Sequence, residues 1–254
     1  MTKRITLLLL WVIIPVLSFA KDDINALFDK GNQQYKQGHY KEALSFYQQI
    51  VDQGYESASL FYNMGNASYK ESDIAAAILY YEKAHRLSPS DGDISINLRL
   101  ANLKIADRID AVPELFFVRW WRSVFLSFSL GTLGVLTVLA MLIASLLFIM
   151  FLFAKTVSAK KTSFYGGLVL LALSLFFILL ANRQSAYFNA RHQAIVFAGS
   201  AIVKGAPANN AVTLTTIHEG TKVNLLQKNN NGWIRISLAN GNEGWIRGED
   251  VKEI

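Results

Sequence analysis

The chain has 254 residues, with 25 Lys and Arg against 19 Asp and Glu, 52% apolar side chains and no Cys. Only 17% of its residues are charged, where an ordinary soluble domain carries about 25%. The lack of Cys excludes a disulfide scaffold, thiol catalysis and thiolate metal sites. Residues 21–112 hold ten basic and thirteen acidic side chains, whereas residues 113–191 hold seven against one. The basic excess therefore sits in the most apolar part of the chain, as at membrane flanks. A nucleic-acid footprint would instead cluster Lys and Arg on a folded face.

Lys3 and Arg4 precede an apolar run from Ile5 to Leu17, and Ser18-Phe19-Ala20 places small residues where a signal peptidase reads. Residues 1–20 are thus expected to be a secretory signal peptide, cut after Ala20. The alternative is an uncleaved anchor. Thirteen helical residues span about 20 Å, short of a hydrocarbon core of roughly 30 Å.

Residues 24–91 repeat with a period of thirty-four. Gly31-Asn32 aligns with Gly65-Asn66, Tyr35-Lys36 with Tyr69-Lys70, Ala43 with Ala77, and Phe46-Tyr47 with Tyr80-Tyr81. The small residues allow two helices of a pair to approach, and Tyr47 and Tyr81 fill the space between turns. Pro89 ends the second helix of the second unit. Repeats bury their faces on neighbours, so 92–110, with its run of Ile and Leu, is expected to be a capping helix.

This pattern resembles the tetratricopeptide repeat over two complete units, 24–57 and 58–91. Leu27 and Phe61 replace the usual tryptophan, and Lys30 replaces a leucine. The resemblance implies an α-helical solenoid with a partner-binding groove on its concave wall. The groove would carry Asn32, Tyr35, Lys36, Tyr62, Asn63, Asn66, Tyr69, Lys70 and Asn97. Asparagine offers both a donor and an acceptor to an extended peptide backbone. Tyr35 and Tyr69 could serve either packing or binding. In the family's carboxylate-clamp subtype two asparagines act with basic residues. This chain matches them with Asn32 and Asn63 but has Phe28, Asp93 and Asn97 where the clamp is positive.

Residues 111–122 mix aromatics with arginines and are read as an interfacial belt, with Arg119, Trp120, Trp121 and Arg122 at headgroup depth. Ser123 to Ala154 contains no charge, nor does Thr162 to Asn182. Two transmembrane helices are expected, at 124–154 and 164–182. The first stretch is over-long, so its opening turns should lie among headgroups or the helix should tilt. The intervening loop, 155–163, carries Lys155, Lys160 and Lys161 with no acid, which predicts a cytoplasmic loop. An exported N-terminus gives the same answer. Both soluble modules should then face the periplasm from the inner membrane.

From 192 to 254 short β-branched runs alternate with Glu219-Gly220, Asn229 to Gly232 and Asn240-Gly241 turns. Five or six strands in sixty residues predict a small closed barrel. The segment EGTKVNLLQKNNNGWIRISLANGNEGWI resembles a bacterial SH3-type domain, some relatives of which bind cell-wall peptides. Trp233 and Trp245 are candidates for core or groove.

His39, His85, His192 and His218 lie far apart without metal-ligand spacing, and no nucleophile–base pair can be argued. An enzyme is not expected, nor a cofactor.

The whole order is similar to the BatE-type proteins of aerotolerance operons: signal peptide, tetratricopeptide units, aromatic-basic belt, membrane hairpin, SH3-type barrel. That resemblance implies a non-enzymatic adaptor in a stress-related envelope complex, with von Willebrand A-type membrane proteins and a MoxR-type ATPase as partners. The lipid bilayer is a further partner, and nucleic acid is not. The alternative is a cell-wall module, binding or sensing peptidoglycan through the barrel.

Overall fold

The structure, a computed structural model, describes residues 23–254, so the expected signal peptide lies outside it. Five helices come first: α1 (23–36), α2 (Tyr40–Asp52), α3 (Ala58–Lys70), α4 (Ile74–Leu87) and α5 (Gly92–Asn102). Their starts keep the thirty-four-residue period, Tyr40 with Ile74 and Ala58 with Gly92. The caps keep it too. Ser57 accepts a hydrogen bond from the Leu60 N–H, and Asp91, one period later, accepts those of Asp93 and Ile94.

The glycines and tyrosines of the repeat explain its packing. A Cβ built at Gly65 would lie 2.5 Å from the Tyr81 ring, and Gly31 stands against Tyr47 in the same way. Tyr47, Tyr81, Ala43 and Ala77 are all buried. Full burial of one large apolar side chain stabilises by about 1.5–3 kcal/mol, so these contacts set the helix spacing.

α5 keeps the phase of α3, with Ile94 and Asn97 one period after Leu60 and Asn63. It therefore stands where the first helix of a third unit would, and it ends at Asn102, short of the expected 92–110. Among the described residues, no second helix of that unit stacks behind α5. Where it would stack, on α4 and α5, a strand of the C-terminal barrel packs instead: Ile195 shares a buried cluster with Ala75, Ile78, Leu79 and Ala101.

α6 (Phe116–Phe125), α7 (Leu130–Phe153) and α8 (Val157–Asn189) follow. The last two are long and apolar enough to cross a membrane. They pack as a hairpin, with Phe148 and Phe151 against Phe164. The bounds differ from the expected segments. The uncharged stretch from Ser123 is broken before Leu130, where Ser129 caps α7 through the Thr132 N–H. The expected 155–163 loop is mostly helix, since α8 begins at Val157 under the Thr156 cap and continues past 182 to Asn189.

The C-terminal module is an antiparallel sheet of seven strands, ordered β3-β2-β6-β5-β4-β1-β7. They are β1 (Gln193–Val196), β2 (Ser200–Lys204), β3 (Thr213–His218), β4 (Lys222–Lys228), β5 (Trp233–Ser237), β6 (Glu243–Arg247) and β7 (Val251–Glu253). Val196, Ala201, Val203, Ile217, Val223, Ile234, Ile236 and Ile246 fill its core. The count exceeds the five or six expected, because Thr213–His218 and Val251–Glu253 both pair.

The helical stack and the barrel dock through charged and apolar contacts. Lys222 donates to Glu82 of α4 at 2.7 Å. Asp107, in the segment after α5, accepts from the His218 backbone N–H at 2.6 Å and from the Thr221 hydroxyl at 2.7 Å. His218 Nδ1 lies 2.8 Å from its other oxygen. Gly220, at φ +86°, turns the β3–β4 connection so closely onto Ile105 and Ile78 that no side chain fits there.

Candidate binding groove

The first helices of the three units, α1, α3 and α5, line up side by side. Between them opens a cavity of about 330 Å³, walled by Tyr35, Tyr62, Asn66, Tyr69, Lys70, Tyr81, Asn97 and Leu100. Six residues singled out from the sequence therefore converge: Tyr35, Tyr62, Asn66, Tyr69, Lys70 and Asn97. Asn32, Lys36 and Asn63 lie outside its wall. Tyr81 and Leu100 belong to it and were missed. Tyr81 reads as a filler between turns, and Leu100 as an ordinary apolar position of α5; the repeat phase of α5 was the usable signal.

A ladder of hydrogen bonds underlies the wall and repeats at the same period. Asn32 Oδ1 accepts from the Tyr47 hydroxyl at 2.8 Å and from Asn63 Nδ2 at 2.9 Å. Asn66 Oδ1 accepts from the Tyr81 hydroxyl at 2.7 Å and from Asn97 Nδ2 at 3.0 Å. Asn97 Nδ2 also donates to the Tyr62 hydroxyl at 2.9 Å. The acceptor sides of Asn32 and Asn66 are thus engaged by the protein itself. Burial pushes the Tyr47 hydroxyl up to about 12 and that of Tyr81 further in the same direction. Both stay neutral donors at physiological pH.

Tyr35 and Tyr69 are partly buried against the helical core and also line the cavity. Lys70 supplies a positive charge to the wall, and no acid lines it. Such a surface suits an extended chain that offers backbone carbonyls or a carboxylate to N–H donors, with its side chains lying on tyrosine rings.

Of the belt residues, Trp120 is exposed together with Phe116 and Phe117. Trp121 turns inward against Phe125, and Phe125 meets Tyr187 of α8. Arg122 pairs with Glu114 at 2.6 Å. Among the described residues, no group of three or more His, Asp or Glu side chains could hold a metal ion.

In the barrel, Trp233 is buried under the Arg247 guanidinium, 4.5 Å from the ring centroid, while Trp245 is half-buried. Residues 199–252 match the family described as bacterial SH3 domain. The C-terminal module is a bacterial SH3 domain. Among solved structures, the chain is similar to the C-terminal SH3 domain of myosin IB from Entamoeba histolytica. The two are 28% identical over 25% of this chain and 93% of that one, with a TM-score of 0.19. No curated protein matches the chain.

Proposed function

We propose that the protein is a membrane-anchored, extracytoplasmic adaptor whose helical repeat, of tetratricopeptide type, holds an extended segment of a protein partner. The observation that carries this reading is the cavity in which Tyr35, Tyr62, Asn66, Tyr69, Lys70 and Asn97 converge. An adaptor needs such a surface and no reacting groups. The docking of the SH3 domain on α4 and α5 supports a shared compartment for both soluble modules. The lysines at the α7–α8 turn then face the cytoplasm. Two crossings between them satisfy this arrangement.

The resemblance to BatE-type proteins extends the proposal to an aerotolerance or stress-related complex at the inner membrane, with von Willebrand A-type partners. Capture of crosslinked partners from native membranes tests the groove. The pair Asn32→Ala with Asn66→Ala, and separately Tyr69→Ala with Lys70→Ala, should lose the partner retained by the unsubstituted chain. The second pair lies outside the asparagine ladder, and an unaltered circular dichroism melt of each variant separates loss of binding from loss of fold. Unchanged capture by both pairs rejects the groove.

A second reading rests on the bacterial SH3 domain itself: the barrel docks cell-wall peptide or glycan. Sedimentation of the detergent-solubilised chain with purified peptidoglycan decides between them, because an adaptor stays in the supernatant.

A further inference from the structure

The two ends of the apolar hairpin carry different cations. At the α7–α8 turn they are Lys155, Lys160 and Lys161; at the opposite end they are Arg119, Arg122, Arg183 and Arg191, with no lysine. In the proposed topology the lysine end faces inward, where positive charge fixes orientation. The arginine end faces outward, against that rule, which counts Arg with Lys. Four guanidinium groups there need another physical reason.

Local packing brings Arg119, Arg122 and Arg191 to one corner. α6 leaves Phe116, Phe117 and Trp120 exposed and turns Phe125 onto Tyr187 of α8, ring centroids 5.5 Å apart. Arg191 stacks on the same Tyr187, its guanidinium carbon 4.0 Å from the ring centroid. Arg183 stands one helical turn before Tyr187, on the same side of α8. Arg122 is bound to Glu114. That hydrogen bond, with the nearby charges of Arg191 and Arg119, holds the Glu114 carboxyl below the usual carboxylate range. The charges of Arg119, Arg122 and Arg191 thus stand around one carboxylate, beside exposed aromatics of the kind that meet headgroups.

We propose that this corner binds the phosphate of an anionic phospholipid, with Arg119 and Arg191 as its ligands. Arg122, tied to Glu114, forms the fixed side of the site. Arginine fits the task better than lysine, because its planar fork can give two parallel N–H bonds to two phosphate oxygens. Stacking on Tyr187 fixes the plane of Arg191 and leaves its N–H edge for the ligand. The site would hold the hairpin at a set depth beneath the two soluble modules.

The inference rests on the membrane reading, so its test has two arms. Alkaline carbonate extraction of cell membranes should leave the full-length protein in the pellet. Native mass spectrometry of that protein in detergent should show phosphatidylglycerol retained in preference to phosphatidylcholine, and not displaced by equimolar inorganic phosphate. Arg119→Gln with Arg191→Gln should reduce the retained phosphatidylglycerol about thirtyfold. The triple change Lys155→Gln, Lys160→Gln, Lys161→Gln should leave it unaltered. Release by carbonate overturns both the membrane reading and the site. Retention in the pellet without lipid preference, displacement by free phosphate, or equal losses in both variants overturns the headgroup site alone.

Discussion

The Asp107 carboxylate and His218, 111 positions apart in the chain, share two contacts: the backbone N–H donates at 2.6 Å, and the ring Nδ1 lies 2.8 Å from the second oxygen. With Thr221 also donating to Asp107, one side chain ties the segment after α5 to the β3–β4 connection. The barrel is thereby held on the helical stack where the second helix of a third unit would sit.

Removing that carboxylate should loosen the dock. Asp107→Ala leaves the His218 N–H and the Thr221 hydroxyl without their partner, at a cost of about 1.5–3 kcal/mol for bonds to a charged group. Thermal unfolding should begin lower, and proteolysis should become faster within 103–113. Burial alone would raise the Asp107 carboxyl, but hydrogen bonds from His218 and Thr221 outweigh it and hold it below its ordinary value. A depressed carboxylate stabilises above its unfolded value of about 4, and loses that contribution as pH falls through the folded one. Acidification from pH 5 towards 3 should therefore weaken the unsubstituted chain more than Asp107→Ala.

The Gly65–Tyr81 contact predicts a sharp contrast between two alanine substitutions. Gly65→Ala drives a methyl group into the Tyr81 ring and should destabilise by about 1–3 kcal/mol, as overpacking does. Gly92→Ala, at the first position of α5 with nothing within 4 Å, should stay within about 0.5 kcal/mol of the original. Chemical denaturation of both variants checks this.

The tyrosine–asparagine ladder should appear at high pH. The hydroxyls of Tyr47 and Tyr81 are raised by burial, so their neutral forms stabilise the fold up to about pH 10. Stability should then fall as pH rises towards the folded value of about 12 for Tyr47. Tyr81→Phe should cost about 0.5–1.5 kcal/mol, the net worth of one such bond. It should also flatten the alkaline loss, as followed by circular dichroism.

How legible this molecule is in its sequence depends on the range of the interaction. Gly31, Gly65, Tyr47 and Tyr81 announce the helix pairs, because close packing at a fixed period leaves small and large residues at fixed spacing. Asn240-Gly241 and Glu219-Gly220 mark barrel turns through local backbone demands, and Gly220 and Gly241 do adopt positive φ. Hydropathy passes over the break before Leu130, since Ser127-Phe128-Ser129 is uncharged; the usable signal was Ser129 as an N-cap. Thr213–His218 escapes because an edge strand with mostly exposed residues shows no apolar alternation. In the groove, Tyr62, Asn66 and Asn97 follow from repeat phase. Asn32 and Asn63 share that phase but pair with each other one unit upstream of the cavity. Asp107 carries no local mark, because its partners come from a module that begins more than eighty residues later.

The arrangement of two soluble modules on one side of the bilayer is tested most directly by thiol labelling, which a chain without Cys allows cleanly. Single substitutions Ser90→Cys in the helical repeat, Ser158→Cys at the α7–α8 turn and Asn230→Cys in the barrel would be exposed to a membrane-impermeant maleimide in intact spheroplasts. Labelling of Ser90→Cys and Asn230→Cys, with Ser158→Cys reacting only after permeabilisation, is the predicted result. A barrel and a helical repeat that label from opposite faces would contradict it.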